Sequence, residues 1–215
     1  MALIKLNNKA VSNATAFGSI SSLGSMVFIK KLTASSSATL SFVDGASGVV
    51  LDDTYKEYVF TFNNIHASTA NDGTVFQFQV DSASATSFNK AITSTSFYAY
   101  HKEADGGTAL SYSDNRDLAN GTGFQTLTWD SQGTDNDNCL GGSLTLYNPS
   151  NTTFVKHFMS TTNGINTAAD GTSTPYSVNC YVAGYVNQTA AVNKVQFKYA
   201  VGNIDAGDIC LYGIA

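Results

Sequence analysis

Hydrophobic and polar positions alternate along most of this chain in short runs. Tyr58-Val59-Phe60-Thr61-Phe62, Val75-Phe76-Gln77-Phe78-Gln79-Val80 and Val195-Gln196-Phe197-Lys198-Tyr199 place β-branched and aromatic side chains at period two, which suits a half-buried pleated surface. Such runs recur at 27–32, 38–42, 55–63, 75–80, 96–101 and 123–129, then at 142–148, 153–160, 176–185, 194–201 and 209–213. They predict roughly ten strands. No stretch keeps a helical apolar period over three turns, and 87–93 suffices for a single turn at most. No repeat of fixed period is present, which disfavours a propeller or a β-helix.

The punctuation between the runs has clear mechanisms. Asp44-Gly45, Asn71-Asp72-Gly73, Asp105-Gly106-Gly107, Asn120-Gly121, Gly141-Gly142, Asp170-Gly171 and Asp205-Ala206-Gly207 put Asn, Asp and Gly where the chain must turn. The connections at 81–95, 102–122, 130–141 and 161–175 are long for hairpins. Long loops on a rigid scaffold carry partner-facing surface. Many one-faced strands need a two-sheet sandwich or a closed barrel to bury them. The expectation is therefore an all-β protein, an antiparallel β-sandwich forming one domain over 26–215.

Residues 1–25 differ: they are Gly/Ser-rich with few large apolar side chains, too apolar for a pure linker and too small-residue-rich for a core. They read as a short N-terminal arm or attachment segment. Leu3, Ile4, Leu6, Val11 and Phe17 would gain order by docking on another subunit or a larger assembly.

Composition narrows the chemistry. The 215 residues are 43% hydrophobic, with 13 Phe, 11 Tyr and 1 Trp, enough apolar material for a core. The 11 Lys plus Arg against 16 Asp plus Glu give a net charge of −5, so a basic surface for nucleic acid is not expected. The opening apolar stretch is too short for a secretory signal, and no segment has the length needed to cross a bilayer. Synthesis and retention in a cytoplasm follow as the expectation, and membrane insertion is not expected. Sequons at Asn13, Asn120, Asn151 and Asn187 would then never meet the glycosylation machinery. Cys139, Cys180 and Cys210 have neither disulfide-framework nor metal-knuckle spacing. Cys180 and Cys210, in strand-like runs, read as small buried apolar groups.

Catalytic constellations are sparse. Glycan hydrolysis needs two carboxyl groups flanking the bond, and the only glutamates are Glu57 and Glu103, while most aspartates occupy turn positions. A glycan depolymerase would have to rely on Asp alone, and no catalytic residues are assigned. His66, His101 and His157 lack metal-pair spacing, and no G-x-S-x-G elbow occurs. The run Asp130, Asp135-Asn136-Asp137-Asn138 has the oxygen donors of a calcium loop, but the position that should carry a closing Glu is Leu146. The loop Asp114-Asn115-Arg116-Asp117 contains its own neutralising Arg. No metal or cofactor is expected. The aromatics Tyr98, Tyr100 and Trp129, with Phe97, form a candidate sugar-stacking platform if they reach the loop rims, against the plain reading that they are core.

Leu40-Ser41-Phe42-Val43-Asp44-Gly45, Tyr55-Lys56-Glu57-Tyr58-Val59-Phe60-Thr61-Phe62-Asn63-Asn64-Ile65-His66, Leu146-Tyr147-Asn148-Pro149-Ser150 and Leu211-Tyr212-Gly213-Ile214 resemble segments of virion proteins of marine tailed bacteriophages, including phages of cyanobacteria. Leu3-Ile4-Lys5-Leu6-Asn7-Asn8 resembles the start of their tail-fibre-like proteins. The resemblance covers residue 38 to the end. It implies a jelly-roll-like virion component without enzymatic activity, oligomeric, displayed on tail or head. It transfers no site residue. The expected role is a tail fibre or receptor-binding protein, a homotrimer that contacts other phage tail or capsid proteins and presents its loops to host surface glycans. Linked copies would raise avidity. The rival role is a capsid decoration protein bridging capsomers.

Overall fold

The computed structural model describes residues 25–82, 87–166 and 175–214. Twelve strands occur in the order β1 (Met26–Thr33), β2 (Leu40–Val43), β3 (Glu57–Ala67), β4 (Phe76–Asp81), β5 (Ile92–Lys102), β6 (Thr108–Tyr112), β7 (Gln125–Thr126), β8 (Cys139–Tyr147), β9 (Lys156–Asn166), β10 (Tyr176–Val186), β11 (Lys194–Tyr199) and β12 (Ile204–Ile214). They form an eight-stranded sheet, β1-β12-β3-β8-β9-β10-β5-β6, and a four-stranded sheet, β2-β11-β4-β7. Every pairing is antiparallel. The all-β expectation with two packed sheets holds, and among the described residues no helix is long and apolar enough to cross a membrane.

The period-two pattern decides which face each strand buries. In β3, Tyr58, Phe60 and Phe62 point inward. Asn64, at φ 51°, then inserts one extra residue against β8, so that Ile65 and Ala67 resume the inner face. Phe197 on β11 sits at the centre of the core. Its ring centroid lies 5.3 Å from Phe60, 5.4 Å from Phe62 and 5.9 Å from Phe76. Phe42, Phe78 and Phe158 complete this buried aromatic layer. Full burial of each such ring contributes roughly 1.5–3 kcal/mol, and ring contacts add about 0.5–1.5 kcal/mol each.

β5 begins at Ile92 and β8 at Cys139, inside the expected 81–95 and 130–141 connections, and three further differences from the sequence expectation have a clear cause. Thr108–Tyr112, inside the expected 102–122 loop, is a strand, because the Asp105-Gly106-Gly107 turn brings it back onto β5. The expected strand 123–129 keeps only two ladder residues: Leu127 N–H still donates to Phe76 O at 2.8 Å, but Phe76 N–H goes to the Thr128 hydroxyl at 3.2 Å and Leu127 O turns to accept from Thr162 Oγ1 at 2.6 Å. β9 runs to Asn166, into the expected 161–175 loop, because β8 and β10 flank it on both sides.

Candidate functional site

The structure brings Tyr98, Tyr100 and Trp129 together. Tyr98 and Tyr100 lie on the inner face of β5, beyond the cover of the four-stranded sheet, and Trp129 closes over them from the segment after β7. Trp129 stacks on Tyr98 at 4.0 Å and on Tyr100 at 5.7 Å, and Tyr176 from β10 meets both Tyr100 and Trp129. Arg116 Nε donates to Trp129 O at 2.7 Å, and Tyr176 OH donates to Asp130 Oδ2 at 2.5 Å. The rings therefore satisfy one another as a plug at one end of the sandwich. Behind it, burial pushes the Cys180 thiol up to about 11, so the thiolate, the reactive form, is suppressed. Phe97 points to the opposite face and stacks on Tyr181 at 4.8 Å. The arm residues Leu3, Ile4, Leu6, Val11 and Phe17 lie outside the described residues.

The outer face of the eight-stranded sheet carries a second aromatic group. Cross-strand register aligns Tyr147 opposite Glu57, His157 opposite Tyr185, and Tyr185 opposite Thr93. Thr145, Met159, Ala183 and Thr95 form the neighbouring row. Ala183, the small residue between Tyr181 and Tyr185 on the outer parity, leaves a depression between the rings. Gly184 turns to the inner face, where an added Cβ would lie 2.4 Å from Thr93 O and 2.9 Å from the Phe158 ring, so no larger residue fits. The depression is a cleft of about 510 Å³ whose lining includes Tyr147, His157, Met159, Tyr185 and Thr93. A second cleft of about 480 Å³ adjoins it through Tyr147 and His157 and adds Asn148, Asn151, Thr153 and Phe154. Among the described residues neither is lined by a carboxylate, a lysine or an arginine.

Lys156 shapes the second cleft from below. Its side chain is fully buried, and Nζ donates to Thr189 O at 2.7 Å, Phe154 O at 3.0 Å and Gln188 O at 3.4 Å. Three ammonium donors thus meet three carbonyls and staple two loops to β9. Burial lowers the pKa of this amine.

The outer group was missed by sequence reading, although its signal was present. In β10, Val178, Cys180, Val182 and Val186 take one parity, while Tyr181 and Tyr185 take the other. That parity already separates core from display. The acidic stretches do something else. Asp135 O meets His66 Nε2 at 3.2 Å, and Arg116, expected to neutralise its own loop, bonds the Trp129 carbonyl. Among the described residues no three His, Cys, Asp or Glu gather in a metal-binding set.

The two aromatic groups differ in what they leave open. The Trp129 plug has rings in mutual contact, whereas the outer clefts offer rings, hydroxyls and amides to solvent. Comparison with protein-family models, with curated proteins and with solved structures finds no match to the chain.

Proposed function

We propose that this chain is a non-catalytic virion component of the tail-fibre or receptor-binding kind, and that the paired clefts around Tyr147, His157 and Tyr185 hold a neutral glycan of the host surface. The observation that carries this reading is the lining of the clefts. Aromatic rings give flat apolar faces for a sugar ring, while Thr93, Thr153, Asn148 and Asn151 supply hydroxyl and amide groups for its hydroxyls. With no charged side chain on the walls, a neutral oligosaccharide is the matching chemistry, since an acidic one would be left without a counter-charge.

The topology agrees with the virion reading. The larger sheet contains the run β1-β12-β3-β8 and the smaller is β2-β11-β4-β7; in sequence these eight alternate between sheets except at β4 and β7, which are consecutive in the smaller one, and β9-β10-β5-β6 extend the larger sheet on one side. This strand order supports reading the core as jelly-roll-like, an architecture found in viral capsid and lectin domains. Fold alone assigns no activity, so the clefts carry the functional weight.

The test is an array of neutral hexose and N-acetylhexosamine oligosaccharides probed with the wild-type chain and with Tyr185→Ala. Binding by the wild type, weakened tenfold or more in the variant, supports the reading. Release of reducing ends from the array would instead establish a depolymerase, and the absence of any binding would remove the glycan role.

A further inference from the structure

The two edges of the eight-stranded sheet are built differently. At one edge, β1 carries a bulge between Phe28 and Lys30 and presents Lys30 and Lys31, the latter paired to Asp208 at 3.1 Å. Bulges and lysines keep an edge strand from pairing with another chain. At the other edge, β6 reads Thr-Ala-Leu-Ser-Tyr, with no charge, no proline and no bulge. Leu110 is 74% exposed and Tyr112 53% exposed. Among the described residues no strand pairs with the far side of β6.

The hydrogen-bond parity of β6 specifies what fits there. Ser113 N–H donates to Ser96 O at 2.9 Å and Lys102 N–H donates to Gly107 O at 3.0 Å. Antiparallel ladders alternate, so the β6 positions bonded to β5 are the odd ones, Ala109 and Ser111. Thr108, Leu110 and Tyr112 turn their backbone N–H and C=O groups outward. Their side chains share the outer face with Phe97 and Ala99, their cross-strand partners.

We propose that β6 pairs with β6 of a second copy of this chain, antiparallel and two-fold symmetric about Leu110, joining two eight-stranded sheets into one continuous sheet. This register sets Leu110 opposite Leu110 of the second copy and Thr108 opposite its Tyr112. Each of these pairs matches outward-facing groups with outward-facing groups, so both hydrogen bonds of every pair form. The strand is thus complementary to itself, which is the condition for a two-fold contact. It brings no like charges together, and it covers Leu110 and Tyr112, two of the most exposed apolar side chains. A cyclic trimer would need a head-to-tail contact between different patches, so the two assemblies are distinguishable by mass. The pairing stands whether or not the clefts hold a glycan.

The test is sedimentation velocity on the full chain over a concentration series, with Leu110→Lys and Leu110→Pro as variants. Proline at 110 removes an N–H that β5 does not use, so the β5–β6 ladder stays intact. The expected result is a concentration-dependent dimer for the wild type and monomer for both variants, each melting where the wild type does at dilutions that leave it monomeric. Hydrogen exchange at the Leu110 amide should slow as the wild-type concentration rises. A wild type that stays monomeric at all concentrations, a trimer, or a dimer that persists in the two variants overturns the proposal. Should Leu110→Pro fail to fold, Leu110→Lys decides between the same outcomes.

Discussion

Two groups of aromatic rings occupy opposite faces of the same sheet and behave in opposite ways. The inner group, Tyr98, Tyr100, Trp129 and Tyr176, has its rings against one another, with the Tyr176 hydroxyl bonded to Asp130 and the Trp129 backbone carbonyl to Arg116. The outer group, Tyr147, His157 and Tyr185, surrounds a depression lined by Ala183, Gly184 and the exposed Met159. Clustering of aromatic residues is therefore a poor guide to a binding platform. What distinguishes the outer group is its looser contact: His157 and Tyr185 meet only at 6.0 Å and 55°, and the cleft beside the rings stays open.

The largest expected effect lies where the two faces share a residue. Phe158 lines the outer cleft on one side and packs on Phe78 at 4.9 Å on the other. The ring itself is buried on the inner face, so Phe158→Ala should cost about 3–5 kcal/mol of stability, read as a drop in the urea midpoint, and should weaken glycan binding only as far as the strand beneath the cleft shifts. Trp129→Ala should come next, at about 2–3 kcal/mol, because the ring is half-buried and stacked on two tyrosines. Its glycan binding should be unchanged; lost binding at preserved stability would exchange the roles of the two groups.

Lys156→Met sharpens the comparison from the scaffold side, since it strands three carbonyls and should cost about 1–3 kcal/mol. The folded-state pKa of Lys156 lies below its ordinary 10.5, so the unfolded chain binds more protons between the two values. Stability should therefore rise as pH climbs from the folded value toward 10.5. The raised Cys180 thiol gives the opposite slope in both proteins, so the Lys156 contribution is read from their difference: the melting temperature of the wild type relative to Lys156→Met should rise across this alkaline range. The smallest effect on stability belongs to the outer face itself. Tyr185→Ala should shift the urea midpoint by no more than about 0.5 kcal/mol equivalent, while weakening glycan binding at least tenfold. A large destabilisation with unchanged affinity would make Tyr185 a packing residue.

Strand parity made most of the fold legible. The runs around Phe60, Phe78 and Phe197 announced both their strands and their inner faces, because hydrophobic burial enforces period two wherever one face meets the core. β6 was not legible, since Thr108–Tyr112 has no buried side to pattern it and exists through its pairing with β5. The short extent of β7 was equally hidden, because the regular ladder ends where Phe76 N–H takes the Thr128 hydroxyl and Leu127 O takes Thr162, which is distant in sequence. For the candidate site, the reading found Tyr98, Tyr100 and Trp129 by residue type but not that Trp129 covers the tyrosines. It passed over Tyr147 and Tyr185, whose shared cleft depends on four strands coming into register.

The measurement that tests the central claim most directly is an aromatic-ring NMR titration of the chain with the oligosaccharide that gives the strongest array signal. Shifts confined to the ring protons of Tyr147, His157 and Tyr185, with Trp129, Tyr98 and Tyr100 unmoved, are the expected result. Shifts centred on Trp129 and its two tyrosines, with the outer rings silent, would contradict the account and place the binding surface at the inner plug.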